Sequence, residues 1–503
     1  MNNKVLKLSI YSFCLLGSLF ALSGNNANSA NSLQQPNVGN KNQSNEKPLI
    51  DFGVIDLLNT PVIKYDLPYL DDQKEMPILG YLGVQGSAIN GYDTISYLTK
   101  SNVRAYREAG FNILSALYER EPLFPIEVRK ALRICDELEM NYFVSDTEFA
   151  YSYDSQPDLE TLPSVNQVME SMQSKYYFDN PSFAGLVARD EPSLYCMDGM
   201  AIGNESLIRS TDAKKIYYST LYPSGASYEQ IGLDASNKKA VSWDKYVEYA
   251  TTYVEKVKPT VLAYDAYYLH RKDATIEGLN AGGEPGNYLG QLSLYRDLAM
   301  KSNIPFWVTI ASYNHVYRTN DVPLKNNEWV VNTSLAYGAK GVQYYTYWNI
   351  DVADANSTDR WNNQIEFGLV SMNGALHDNY YKIQRINQNI KAVDEVLLKS
   401  THKGVMQFGE QKLNLIEKDT LNRYGKLKNI HGDAFVGCFD NNGKDVYYIV
   451  NNSITEGIRT FKIDFNGKVN VRMTNYHGVT SKENVSCVGI NLSGGEAMLL
   501  EVL

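Results

Sequence analysis

The stretch FAGLVARDEPS, residues 183–193, is where the fold of this chain is decided. An apolar run, Leu186-Val187-Ala188, leads straight into Arg189-Asp190-Glu191-Pro192. A near-continuous apolar run is how a strand covered on both faces reads. Ending such a strand on three charges and a proline has two readings. It is either a charged surface turn or a carboxylate presented at the mouth of a barrel, and the rest of the chain decides between them. From Pro77 to about Leu398 the pattern of apolar run and helical segment recurs, with eight runs in all. They are PILGYLGVQG (from Pro77), FNILSALYE (from Phe111), MNYFVSDTEF (from Met140), FAGLVARDEP (from Phe183), KKIYYSTLYP (from Lys214), PTVLAYDAYY (from Pro259), IPFWVTIASY (from Ile304) and GVQYYTYWN (from Gly341).

Between them, residues 93–109, 125–140, 243–257 and 289–302 carry apolar residues at three- and four-residue spacing. Residues 329–339 are helical in composition, and 380–398 close the set. Gly110, Gly338 and Gly341 punctuate the hand-over from helix to loop or strand. Eight strand–helix units predict a (β/α)8 TIM barrel over residues 77–399. An open doubly wound sheet is the alternative. It usually carries a glycine-rich phosphate loop after its first strand, and GVQGSAINGYD, residues 83–93, lacks GxGxxG. Beyond Ser400 short alternating strands take over, with hairpin signals at Asn442-Gly443 and Asn466-Gly467, so residues 400–503 are expected to form an all-β sandwich.

The N-terminal residues 1–23 read as a signal peptide, with Lys4 and Lys7 before an apolar stretch and small residues after it. An exported, periplasmic or secreted protein is expected, an uncleaved anchor being the alternative. Residues 24–49 are an Asn-, Ser- and Gln-rich linker, too polar to pack, and 50–76 are expected to brace the barrel. A formal net charge of -10 without a long basic run argues against nucleic acid or an anionic membrane as partner. No integral membrane domain is expected after signal removal. Tyrosine is unusually frequent, at 38 residues beside 5 Trp and 16 Phe. Its flat apolar face and hydroxyl suit sugar rings, and compositional bias is the plain alternative. The Cys and His residues have no metal-ligand spacing, so neither metal nor other cofactor is expected. Cys438 and Cys487 either pair or stay buried thiols.

In barrels of this kind active sites lie at the C-terminal ends of the strands. Those ends offer Gln85, Glu119 and Glu121, then Asp146 and Glu148, then Arg189, Asp190 and Glu191. Further round come Tyr222, then Asp265 with Tyr264, Tyr267 and Tyr268, then Ser312, Asn314 and His315, and finally Tyr345, Tyr347, Trp348 and Asn349. The rim is rich in carboxylates and aromatics. Glycoside cleavage needs a carboxylic acid to protonate the leaving oxygen and a second carboxylate as nucleophile or base. Acyl transfer would need Ser or Cys beside His, and GxSxG is absent.

The segment RDEPS resembles the strand-4 motif of barrel glycoside hydrolases, in which Asn-Glu-Pro carries the acid/base glutamate; here Asp190 stands in place of that Asn. Together with LAYDAYY and LAYGAKGVQYYTYWN it resembles exported bacterial glycosidase-like barrels with a C-terminal β-sandwich. The resemblance implies Glu191 as general acid and Asp190 as a contact to the sugar substituent at carbon 2, with an oligosaccharide or polysaccharide as substrate. It departs at strand 7, where IPFWVTIASYNH lacks the family's nucleophilic Glu, and the nearest, Glu328, belongs to the next helix. Asp265, ending an apolar run among tyrosines, is the first choice for the second carboxylate. The adjacent Asp190-Glu191 also resembles the N-acetylhexosaminidase arrangement, in which the substrate's own acetamido group attacks. Arg189, Asp146, Glu148, Tyr222, Tyr267, Asn314, His315, Tyr345, Tyr347 and Trp348 are the candidate sugar contacts. The missing strand-7 Glu keeps a second reading open, a carbohydrate-binding protein on a degenerate barrel. A glycan lyase or esterase is the weaker third.

Overall fold

The computed structural model describes residues 55–65, 74–85, 96–153, 155–268, 275–276, 288–312, 314–315, 324–348, 365–366, 368–371, 373–411, 413–455 and 457–503. The expected signal peptide and linker lie outside them, as does Asn349. Eight parallel strands pair in chain order: β1 (Ile78–Gly80), β2 (Ile113–Glu121), β3 (Asn141–Asp146), β4 (Phe183–Asp190), β5 (Ile216–Leu221), β6 (Leu262–Asp265), β7 (Phe306–Ala311) and β8 (Val342–Tyr345). β8 closes on β1 with Leu79 opposite Gln343. Each of the eight apolar runs holds one strand.

The helices between and after them are α1 (Lys100–Glu108), α2 (Pro125–Glu137), α3 (Val165–Ser174), α4 (Met197–Thr211), α5 (Trp243–Val257), α6 (Tyr288–Ser302), α7 (Leu324–Ala336) and α8 (Asp378–Lys399). The chain is therefore a closed (β/α)8 barrel. Burial on both faces explains the unbroken apolar runs. In β4, Leu186 and Ala188 pack outward toward the helices, while Val187 points into the barrel with Phe143, Tyr218 and Trp307.

Two local expectations shift. β1 stops at Gly80, so Tyr81, and not a residue near Gln85, opens the rim. α1 begins only at Lys100, where the Thr99 side chain accepts from the Asn102 amide and caps the helix. α3 and α4 carry weaker sequence signals. α4 contains Gly199 and Gly203, poor helix formers. Gly203 is required by close approach, since a Cβ there would lie 2.6 Å from the Tyr217 hydroxyl. Within the deciding stretch, Gly185 has φ +149°, and a Cβ on it would lie 1.9 Å from the Ile216 carbonyl oxygen of β5.

The C-terminal region is all-β: β9 (Thr401–Phe408), β10 (Leu427–His431), β11 (Ala434–Asn441), β12 (Lys444–Asn451), β13 (Ile458–Asn475), β14 (Gly478–Ser493) and β15 (Ala497–Val502). They form one hydrogen-bonded antiparallel sheet in the order β9-β11-β12-β15-β13-β10, with β14 paired to β13. Met406 of β9, Ile430 of β10, Ile449 of β12 and Ile490 of β14 share one core, so the sheet curls over itself as a sandwich does. Asn442-Gly443 makes the β11–β12 turn, both residues at positive φ. Asn466-Gly467 does not turn the chain. It sits inside β13, where the pairing with β14 slips between Asp464 and Val469. Ile463 and Val471 on either side both bury in the sandwich core, which the strand achieves by running through.

The sandwich is bonded to the barrel. Trp329 Nε1 of α7 donates to Asn452 Oδ1 at 3.0 Å, and Tyr448 Oη donates to Asn332 Oδ1 at 2.7 Å. Arg296 of α6 pairs with Asp419 at 2.5 Å, both side chains buried. The described part of residues 50–76 reaches both units: Met76 N donates to Asp394 Oδ2 of α8, and Ile63 N to Thr401 Oγ1 of β9. Cys438 is buried and Cys487 exposed, and both are free thiols. No described helix is long and apolar enough to cross a membrane.

Candidate active site

A strand sends successive side chains to opposite faces. With Val187 inward, strict alternation would turn Asp190 out of the barrel. The β4–β5 register slips between Val187 and Arg189, and this bulge reverses the alternation. Asp190 then faces inward, where the Tyr81 hydroxyl donates to its Oδ2 at 2.8 Å. Glu191 follows at φ +46°, its amide donating to the Thr220 carbonyl at 2.8 Å. Positive φ on a non-glycine residue is uncommon and concentrates at functional sites. Bulge and turn together deliver two consecutive carboxyls to one cavity.

Asp265, the last residue of β6, meets them there and is 3 % exposed. Burial pushes the Glu191 carboxyl well above the usual range, and the charges of Asp265 and Asp190 and a contact with the Asp265 carboxyl push it further; Arg189 opposes. Oε1 of Glu191 is buried without a hydrogen-bond partner. Asp265 is also raised, by burial and by Asp190, against hydrogen bonds with Glu191, Tyr267 and Thr309 that favour its charged form. Two carboxyls in contact hold one proton between them. The arrangement can hold a proton for a leaving group between the two carboxyls.

Around the carboxyls stands a tyrosine wall. The Tyr345 ring lies 5.1 Å from that of Tyr81 and 5.7 Å from that of Tyr267. The charges of Asp265 and Glu191 reach Tyr267, and that of Glu191 reaches Tyr222. Beside Asp190 opens a cleft of about 440 Å³ walled by Arg120, Ser145, Thr147, Tyr151, Tyr153 and Arg189.

Several candidates stand elsewhere. Asp146 caps a short helical turn through the Glu148 amide at 2.9 Å and accepts from the Tyr177 hydroxyl at 2.8 Å. Lys175 lies 3.5 Å from Asp146 and 2.5 Å from Glu148, so this pair is tied to the end of α3. Glu148 still borders the cleft. Glu121 is bonded by the Tyr176 hydroxyl. Tyr347 is buried between barrel and helix, its ring 4.6 Å from Tyr106 and 5.3 Å from Phe111. Trp348 is 3 % exposed, with its ring 5.5 Å from that of Tyr97. Neither offers the open face that stacking on a sugar needs. Asn314 and His315 pair as backbone with Ile365–Glu366, and their side chains lie outside the described set, as does that of Glu119. Glu328 is buried and paired with Arg385 on α8, away from the carboxyls. Tyr81, Tyr218, Thr309 and Gln343 escaped the sequence reading. The first stands one residue past β1, and the others sit mid-strand among apolar neighbours.

No protein-family model matches the sequence, and no curated protein matches it. Among solved structures, the chain is similar to an α-amylase from Geobacillus thermoleovorans complexed with acarbose, at 8% identity and TM-score 0.49, covering 86% of this chain and 99% of that one. It is similar to an Anoxybacillus α-amylase at 9% identity and TM-score 0.45, covering 85% and 98%. A GH30 endoxylanase from Clostridium papyrosolvens aligns at 10% identity and TM-score 0.39, covering 86% and 96%.

Proposed function

We propose that this chain is a glycoside hydrolase acting on oligo- or polysaccharides after export, with Glu191 as the general acid. The observation that carries the reading is the meeting of Asp190, Glu191 and Asp265 at the C-terminal mouth of the barrel, with burial holding Glu191 toward its protonated form. An acid that keeps its proton near neutral pH is what glycosidic oxygen protonation requires. Tyr81, Tyr267 and Tyr345 supply apolar faces for a sugar ring.

The Asp265 and Glu191 carboxyls act strongly on each other's protons, as close neighbours do, whereas a nucleophile or base that works with the acid across a sugar stands about 5 Å or about 6.5–9.5 Å from it. That coupling favours Asp265 as proton partner of Glu191. Asp190, held by Tyr81, is the carboxylate left to act on the substituent at carbon 2, including an acetamido group that attacks carbon 1 itself. No resident cofactor enters this scheme.

The test is sugar release from a panel of plant, bacterial and host glycans by wild type and Glu191→Gln. Release by wild type that falls by about 10²-fold or more in the variant supports the reading. Equal release by both removes Glu191 from the mechanism. Glycan binding without release by either protein supports the carbohydrate-binding alternative, which the carboxylate-free end of β7 favours.

A further inference from the structure

We propose that Thr309, itself oriented by Gln343, is a positioning residue that keeps Asp265 ionised and so leaves the shared proton on Glu191. The inference rests on Glu191 being the acid. Asp265 of β6, Thr309 of β7 and Gln343 of β8 are consecutive partners across three parallel strands. Their side chains therefore stand side by side within the barrel, 3 %, 1 % and 3 % exposed. Barrel interiors are usually filled by branched apolar residues, and a row of three buried polar side chains costs stability unless each is bonded.

They are bonded with a direction. The Tyr218 hydroxyl donates to Gln343 Oε1 at 2.8 Å and accepts from Thr220 Oγ1 at 3.3 Å. With its oxygen committed to Tyr218, Gln343 turns Nε2 toward Thr309 and donates to Oγ1 at 3.4 Å. Oγ1 then accepts, which leaves its own proton for the Asp265 carboxyl, its register partner on β6. A hydroxyl can reverse its role by rotating about one bond. An amide NH2 only donates, so Gln343 sets the polarity of the chain.

The Thr309 and Tyr267 hydroxyls and the Glu191 carboxyl all act on Asp265 in the direction that favours its charged form. The titratable groups facing it are Asp190 and Glu191 at the end of β4, Tyr218 of β5, Tyr267 just past β6, and Tyr295 of α6. Burial and the Asp190 charge work against its ionised form, so the donors decide which member of the pair ionises.

The test uses the full chain labelled with carbon-13 at Asp and Glu carboxyls, titrated by NMR in wild type, Thr309→Val and Thr309→Ser, with Glu191→Gln to assign the pair. The pair titrates jointly, with two apparent values. Thr309→Val is expected to raise the lower value by about one pH unit, the size of one lost hydrogen bond to a charged group. Thr309→Ser restores it. The acid limb of kcat/KM for sugar release moves with it, with KM unchanged within about twofold. If Thr309→Val does not fold, Gln343→Met cuts the chain one link back and must shift the same value the same way. Unchanged apparent values in both variants, or a serine variant no better than valine, overturn the proposal. Absence of sugar release by wild type would sink the glycosidase reading alone, since the NMR titration still reads where the proton sits.

Discussion

Tyr81→Phe removes one hydroxyl and leaves the ring that packs against Tyr345. The lost interaction is the 2.8 Å hydrogen bond to Asp190 Oδ2, with the phenol 8 % exposed. A hydrogen bond to a charged group contributes roughly 1.5–3 kcal/mol, and leaving a carboxylate short of a donor in a water-poor cavity belongs at the upper end. At about 1.4 kcal/mol per decade that is a loss of about 10- to 150-fold if Asp190 acts in the transition state. The loss should fall on kcat, because the tyrosine faces available to a bound sugar remain. The assay is a double-mutant cycle of Tyr81→Phe and Asp190→Asn, read both as kcat/KM and as unfolding free energy in urea. A coupling of roughly 1.5 kcal/mol or more in kcat/KM is expected. Coupling below about 0.5 kcal/mol in both readouts would mean that the hydroxyl does not hold Asp190, and the positioning argument fails.

Glu191→Gln should stabilise the protein as pH rises. The folded carboxyl, raised first by burial and then by Asp265 and Asp190, binds a proton that the unfolded chain releases above about pH 4.3. Wild-type stability therefore declines as pH rises from there through the folded pKa, and the variant escapes that decline. Melting temperatures at pH 4 and pH 8 check this, and a gap that does not widen with pH refutes it. Gly185→Ala should cost about 3 kcal/mol or more, because its Cβ would lie 1.9 Å from a backbone oxygen of β5 and the strand cannot shift without breaking the barrel. Urea denaturation reads the loss, and a change under about 1 kcal/mol would contradict the β4–β5 geometry. Asp419→Ala leaves Arg296 buried with only Asp297 at 2.6 Å, so a loss of roughly 3 kcal/mol is expected, with barrel and sandwich still unfolding together. Two separate transitions already in the wild type would show that the contact does not couple the two units.

The chain's local chemistry was enough to determine eight buried parallel strands, because a strand covered on both faces must be apolar along its whole length. The runs of β4 and β6 also marked where those two strands end, and so brought Asp190, Glu191 and Asp265 forward as candidates. Sequence alone could not say which way a rim side chain points. That depends on the slip between Val187 and Arg189, a pairing event that needs β5 to exist, and on a positive φ at Glu191 held by the Thr220 carbonyl. The same limit misjudged Tyr347 and Trp348, which end an aromatic run yet pack behind the barrel wall. It also left Asp146 as a sugar contact when Tyr177 and Lys175, which reach it only in the folded chain, hold it at the end of α3. Tyr81, Thr309 and Gln343 read as ordinary strand residues until barrel closure sets β1 beside β8 and β8 beside β7. Composition and periodicity determine which residues are buried. Only closure of the barrel decides which buried polar groups meet, because their partners come from strands far apart in the chain.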